Sequence, residues 1–292
     1  MAVLTNIQKI SALAVELLAR SVVLPATVLR VPGAEYGGAS GDTVTVRVRQ
    51  NRTAEIQATP GDTINFDSIN EIGVDVQVHH IYNAVPITDE DLSLNLVDFG
   101  SQVVQPSVLA VSRRAEQFIA DLMNDLAADD YVDSSSGDQG KDYAAAIKDA
   151  CQTLDEADVP AGDRYCAVSP YAARQLLDYE GIERAESYGS PSAVQDATIG
   201  RYAGFTIVKS NALTAGTLVA YHRSAFAMAN RAPVPPRGVS QQQTQTYTES
   251  GYSLRVLFDY DVSKLTDVMA VSTFSGAAVV DPDRAYKVDL GS

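Results

Sequence analysis

"DFGSQVVQPSVLAVSRRAEQFIADLMNDLA", Asp98–Ala127, is the most periodic stretch of a 292-residue chain. Val104, Val108, Val111, Ala115, Phe118, Leu122 and Leu126 recur every three or four positions, and Ile119 and Met123 widen the stripe. That spacing predicts a helix over residues 98–128 with one apolar face, longer than the usual three or so turns. Pro106 should mark an early turn or a kink. An element of this length serves naturally as a brace. Arg113 and Arg114 form an adjacent basic pair on it, suited either to plain solvation or to contact with a partner.

Upstream lies "GDTVTVRVRQNRTAEIQATPGD", Gly41–Asp62. Val44, Val46 and Val48 alternate with Thr45, Arg47 and Arg49, so Thr43 to Arg49 reads as a two-faced strand. Pro60-Gly61 is a turn signal, and the return limb is expected within "INEIGVDVQVHHIYNAVPIT", with Val74, Val76 and Val78 on one face. The resulting excursion carries few long aliphatic residues at its tip and therefore needs a surface to lie on. Further upstream, Ile7, Ile10, Leu13, Leu17 and Leu18 give an amphipathic helical pattern over residues 5–20, broken by Pro25 and Pro32.

Downstream, Tyr143 to Ala157 reads as a second helix. "RYCAVSPYAARQLLDYEG" reads as a strand, a Ser169 cap, Pro170 in the first helical turn and a helix running to Gly181. Strands follow at Phe205–Val208 and around Leu218–Tyr221. Helices mixed with short strands over 141–230 fit a compact α/β or α+β unit. The run from Leu254 to Val280 is expected to return to the long helix as strands.

Composition narrows the function classes. The chain is 46% hydrophobic and 20% charged, as ordinary folded proteins are. Its net charge is −15, yet residues 1–60 carry six basic and four acidic side chains, so the excess acid lies beyond them. A broad sequence-reading nucleic-acid surface is excluded by that balance. No stretch has the length of a membrane span. Cys151 and Cys166 read as small core residues. His79 and His80 are adjacent in a strand, so they face opposite ways and cannot clamp one metal. HExxH, CxxC, Walker and GxSxG patterns are absent, and the clustered carboxylates belong to solvated faces and helix ends. No cofactor site and no catalytic residue emerge.

Three segments in order carry a resemblance: "VPAGDRYCAVSPYAARQLL", "IGRYAGFTIVKSNAL" and "LRVLFDYDVSKLTDVMAVSTFSGAAVV". They resemble the strand and Ser-Pro-capped helix, the glycine-turn strand and the closing strands of the major capsid proteins of tailed bacteriophages. The resemblance covers almost the whole chain and implies an α+β, HK-ninety-seven-like fold. On that pattern residues 1–37 are an N-terminal arm and 38–80 an extended β-hairpin loop. Residues 81–139 form a peripheral domain with its spine helix at 98–128, 140–235 an axial domain, and 236–292 a return to the peripheral domain.

The same resemblance implies a structural, non-enzymatic protein in the virion capsid, assembled in the bacterial host cytoplasm. Its partners would be many copies of itself, in hexamers and pentamers of an icosahedral shell. A portal, scaffolding supplied either as a separate chain or as a segment outside this sequence, and in some relatives a decoration protein would join them. Packaged double-stranded DNA would lie nearby without specific contact, and no membrane is implied. Candidate intersubunit residues are Arg47, Arg49, Arg52 and Glu55 on the loop and Arg113 and Arg114 on the helix, the last two being alternatively solvated or turned to DNA. Some relatives weld subunits through a loop lysine, but no lysine lies between Lys9 and Lys141, so covalent crosslinking of that kind is not expected. An encapsulin-type compartment shell shares the implied fold and is the alternative. A soluble α+β enzyme is the reading from another class, and it wants a site.

Overall fold

Residues 23–31, 43–49, 71–88, 103–179, 198–234, 244–249 and 252–291, with single positions between them, are described by a computed structural model. The first element, α1 (Leu24–Thr27), is a single turn with Pro25 where a missing N–H costs nothing, followed by β1 (Leu29–Val31). The ribbon forms as its alternation requires. β2 (Thr43–Arg49) pairs antiparallel with β3 (Glu71–Gln77), placing Val44 opposite Val76 and Val46 opposite Val74. Val44, Val46 and Val76 are buried, while Thr43, Thr45 and Arg47 are exposed. The expected single return limb is divided. It breaks at Val78, and β4 (His79–Thr88) leaves the ribbon for the main sheet.

The long helix, α2, spans Gln105–Asp125. Pro106 sits in its first turn and so starts the helix rather than kinking it. Leu126 stops it by taking extended dihedrals (φ −58°, ψ 146°). Residues 98–102 of the predicted span lie outside the described residues. The buried face is centred on Val108, Val111, Ala115, Ile119 and Met123, whereas Phe118 and Leu122 are half-buried at its margin.

Beyond it come β5 (Asp130–Asp133), α3 (Gln139–Glu156) and β6 (Arg164–Val168). The Asp138 carboxylate caps α3 by accepting from the Lys141 N–H. The Ser169 hydroxyl caps α4 (Pro170–Leu177) as its sequence predicts, and this helix stops four residues short of Gly181. Strands complete the chain: β7 (Thr198–Tyr202), β8 (Phe205–Lys209), β9 (Leu218–His222), β10 (Phe226–Arg231), β11 (Thr244–Glu249), β12 (Tyr252–Asp261), β13 (Thr266–Val279) and β14 (Ala285–Gly291).

Two six-stranded sheets result. The first runs β1-β10-β13-β12-β11, with β4 on the other edge of β13; the second runs β5-β14-β9-β6-β8-β7. Each draws strands across the boundaries read from sequence. β10 joins the first sheet, while β5 and the final strand β14 join the second. The segment 236–292, expected as a return to the peripheral domain, contributes strands to both sheets. β14 is held in the second by antiparallel pairing to β9 and parallel pairing to β5.

One apolar core lies between α2 and the first sheet and includes Val108, Ile119, Val256, Met269 and Val271. It continues onto one face of the second sheet through Ala167, Val219 and Tyr221. The other face of that sheet, through Cys166, Val168, Leu218 and Ala220, packs with Tyr143, Ile147 and Leu154 of α3 and Leu176 of α4. Period-two alternation along β6 and β9 thus feeds two cores at once. Where β13 changes neighbours from β12 to β10, the Asn230 side chain fills the gap in the ladder. It donates to Thr273 Oγ1 (2.9 Å) and accepts from the Ser253 N–H.

Candidate assembly surfaces

The ribbon's valines do not look for a foreign surface at its base. Val44, Val46 and Val76 close over Val31, Ala227 and Ala229 of the same chain, with Val78 and Ala278 beside them. Burial of this apolar root, worth roughly 1.5–3 kcal/mol per fully covered valine, fixes how the ribbon leaves the body. Its other face is polar and open. Arg47 is exposed there and aligned with Gly73, which leaves the facing position without a side chain. Thr45 donates to the Asp75 carboxylate at 2.7 Å, and Arg49 is in register with Glu71. Glu71 thus comes into register with Arg49 and Asp75 with Thr45, so β3 adds two acidic positions beside the arginine-rich strand β2. Arg52 and Glu55 lie outside the described residues.

Arg113 and Arg114 are exposed on α2, on a different element from the ribbon. Arg114 is not simply solvated. Its guanidinium lies over the Phe118 ring at 5.0 Å from the centroid, and the His79 ring stacks on Phe118 at 5.4 Å, interplanar angle 20°. The His79–Phe118 stack fastens the start of β4 to the helix, and the cation–π contact within α2 adds about 0.5–1 kcal/mol at an exposed site. His80 points the other way, against Phe274 (4.8 Å), as its neighbour's orientation demands. Burial and the nearby Arg255 guanidinium hold its imidazole below the usual histidine range.

Polar residues on the buried faces join the two sheets. Lys287 of β14 is 6% exposed, and its ammonium donates to the carbonyls of Asn124 (2.7 Å) and Leu126 (3.0 Å). It thereby caps the C-terminus of α2 and also pairs with Asp289 at 2.8 Å. Asn124 Oδ1 accepts from the Thr214 N–H, another tie from the second sheet to the helix end. Within α2, the Glu116 carboxylate is 8% exposed and accepts from the Ser210 hydroxyl at 2.8 Å. The sequence reading passed over both residues. Glu116 carried a signal, since it shares the apolar face with Ser112 one turn before; Lys287 carried none.

The reactive side chains are quietly placed. Burial pushes the Cys166 thiol far up, and burial with the Asp155 carboxylate raises Cys151. His222 Nδ1 is bonded to Ser224 at 2.7 Å within one tight turn, where Ser224 also accepts from Arg284. Among the described residues no group of three His, Cys, Asp or Glu side chains could hold a metal ion, and no helix is long and apolar enough to cross a membrane. What stands out on the surface is a rooted ribbon with a polar, charge-bearing outer face.

Comparison with known proteins follows that geometry. A family model described as phage capsid protein matches residues 29–249. No curated protein matches significantly. Among solved structures the chain is similar to one from Mycobacterium phage Che8, at 20% identity and TM-score 0.61, covering 93% of this chain and 90% of that one. It is similar to the capsid structure of the cyanophage P-SCSP1u, at 16% identity and TM-score 0.65, with coverages of 93% and 88%. A holo-encapsulin complex from Synechococcus elongatus aligns at 12% identity and TM-score 0.52, with coverages of 90% and 84%.

Proposed function

The chain belongs to the phage capsid protein family, its fold is HK-ninety-seven-like, and from that membership we propose how it builds a shell. Its role is structural, as a component of the virion capsid. Copies associate into hexamers and pentamers that close an icosahedral container around packaged double-stranded DNA, assembled in the bacterial cytoplasm. The first sheet with α2 serves as the peripheral domain and the second sheet with α3 and α4 as the axial domain. Portal and scaffolding chains, and in some shells a decoration protein, complete the particle.

The observation that carries this reading is the ribbon. Its root is packed on its own subunit, so the outer face with Arg47 is delivered in a defined direction to the neighbouring copy. Arg47, Arg49, Arg52 and Glu55 then orient the contact, while Arg113 and Arg114 face a second neighbour or the genome. Exposed ion pairs contribute only about 0–1 kcal/mol each, and repetition around a capsomer makes such terms effective. The encapsulin likeness concerns the fold, and the family match favours the phage reading.

Sedimentation velocity of the purified chain at low and high salt tests this. Rings of five or six copies and larger closed species at low salt, with weaker association at high salt, are expected. A monomer or dimer at every concentration, with or without scaffolding protein, would contradict it.

A further inference from the structure

Glu116 sits where three parts of the chain meet. Its carboxylate accepts from Ser210, after β8, and from the backbone N–H of Leu24 in α1. The Leu24–Val31 segment is wedged there. Leu24 and Val28 are fully buried, Thr27 Oγ1 donates to the Leu24 carbonyl at 2.8 Å, and the Thr27 and Tyr221 hydroxyls are bonded to each other. Arg30 grips the Pro25 carbonyl at 2.9 Å and Arg223 the Val28 carbonyl at 3.3 Å.

The groups around the carboxylate do not neutralise it. β9 presents Tyr221, with Tyr165 and Cys166 of β6 near it, and burial pushes the Tyr221 hydroxyl and the Cys166 thiol far up. Lys209, next to Ser210, and Arg113, on Glu116's own helix, are exposed. Arg30 and Arg223 give their Nε–H donors to backbone carbonyls. No cation pairs with Glu116 among the described residues, and burial outweighs its two hydrogen bonds, raising the carboxyl above the usual carboxylate range.

We propose that Glu116 is a proton-held clasp on the Leu24–Val31 segment. Protonated, it keeps the wedge closed between α2 and the second sheet; ionised, it favours the open, hydrated arrangement. The closed form keeps its proton to higher pH than the open form. The clasp is therefore tightest below the ordinary carboxylate range and is lost as pH rises through the raised value. Between those limits, opening becomes easier as pH rises, by at most about tenfold per pH unit for a single proton. The clasp stands whether or not the shell reading does.

Amide hydrogen exchange of the Leu24–Val31 peptide in the full chain, from acid to mildly alkaline pH and corrected for intrinsic rates, tests the clasp. Protection should fall across the window in the wild type, by at most about tenfold per pH unit, and become independent of pH in Glu116→Gln. A flat wild-type profile, or the same fall in Glu116→Gln, would overturn it. If Glu116→Gln does not fold, Ser210→Ala decides. Removing a hydrogen bond that favours the charged form should move the fall to higher pH, and an unmoved profile rejects the proposal.

Discussion

Lys287 shows how one side chain ties distant parts of this chain together. It stands on the last strand, yet its ammonium satisfies the orphan carbonyls at the end of a helix more than 150 residues earlier. Lys287→Met keeps the stem and deletes the donors, leaving Asn124 and Leu126 unsatisfied. The expected loss is about 2–3 kcal/mol, read as a lower denaturant midpoint of the dissociated subunit. Arg47 is the opposite case, exposed on the ribbon and proposed to orient a contact between copies. Arg47→Glu should cost the subunit less than about 1 kcal/mol while raising the protein concentration at which capsomers form. Equal losses of stability and assembly would make Arg47 a structural residue.

Among elements, the crossing at the ribbon's base is the tightest. Gly276 of β13 lies against the Gln77 carbonyl and Val78, and a Cβ there would fall well inside contact with backbone atoms. Gly276→Ala should cost at least about 1–3 kcal/mol and loosen the start of β4, seen as faster proteolysis near Val78. Unchanged stability and cleavage would show that the crossing yields. Elements with a local period were legible from sequence: β2 through its valine alternation, α2 through its stripe, and α4 through Ser169 and Pro170. Which sheet a strand joins was not. β14 pairs with β5 and β9 over separations that no local period records, so its place in the second sheet could not be read locally. The candidate surface was half legible. Exposure of Arg47 follows from alternation, whereas Glu71 comes opposite Arg49, and Asp75 opposite Thr45, only through a register that the hairpin pairing sets.

At the scale of the molecule, the two sheets share one core along α2, and the caps at Lys287 and Asn124 with the Glu116 junction make the helix a common spine. Such a subunit presents the ribbon from a body that resists bending, which suits repeated, directional contact among identical copies. The acidic excess beyond residue 60 makes free subunits repel one another, so their association is expected to depend on salt. Negative-stain electron microscopy of the purified chain tests the central claim most directly. Closed angular shells, or rings of five and six subunits, are the predicted result; a field of isolated subunits at high concentration, unchanged by added scaffolding protein, would contradict it.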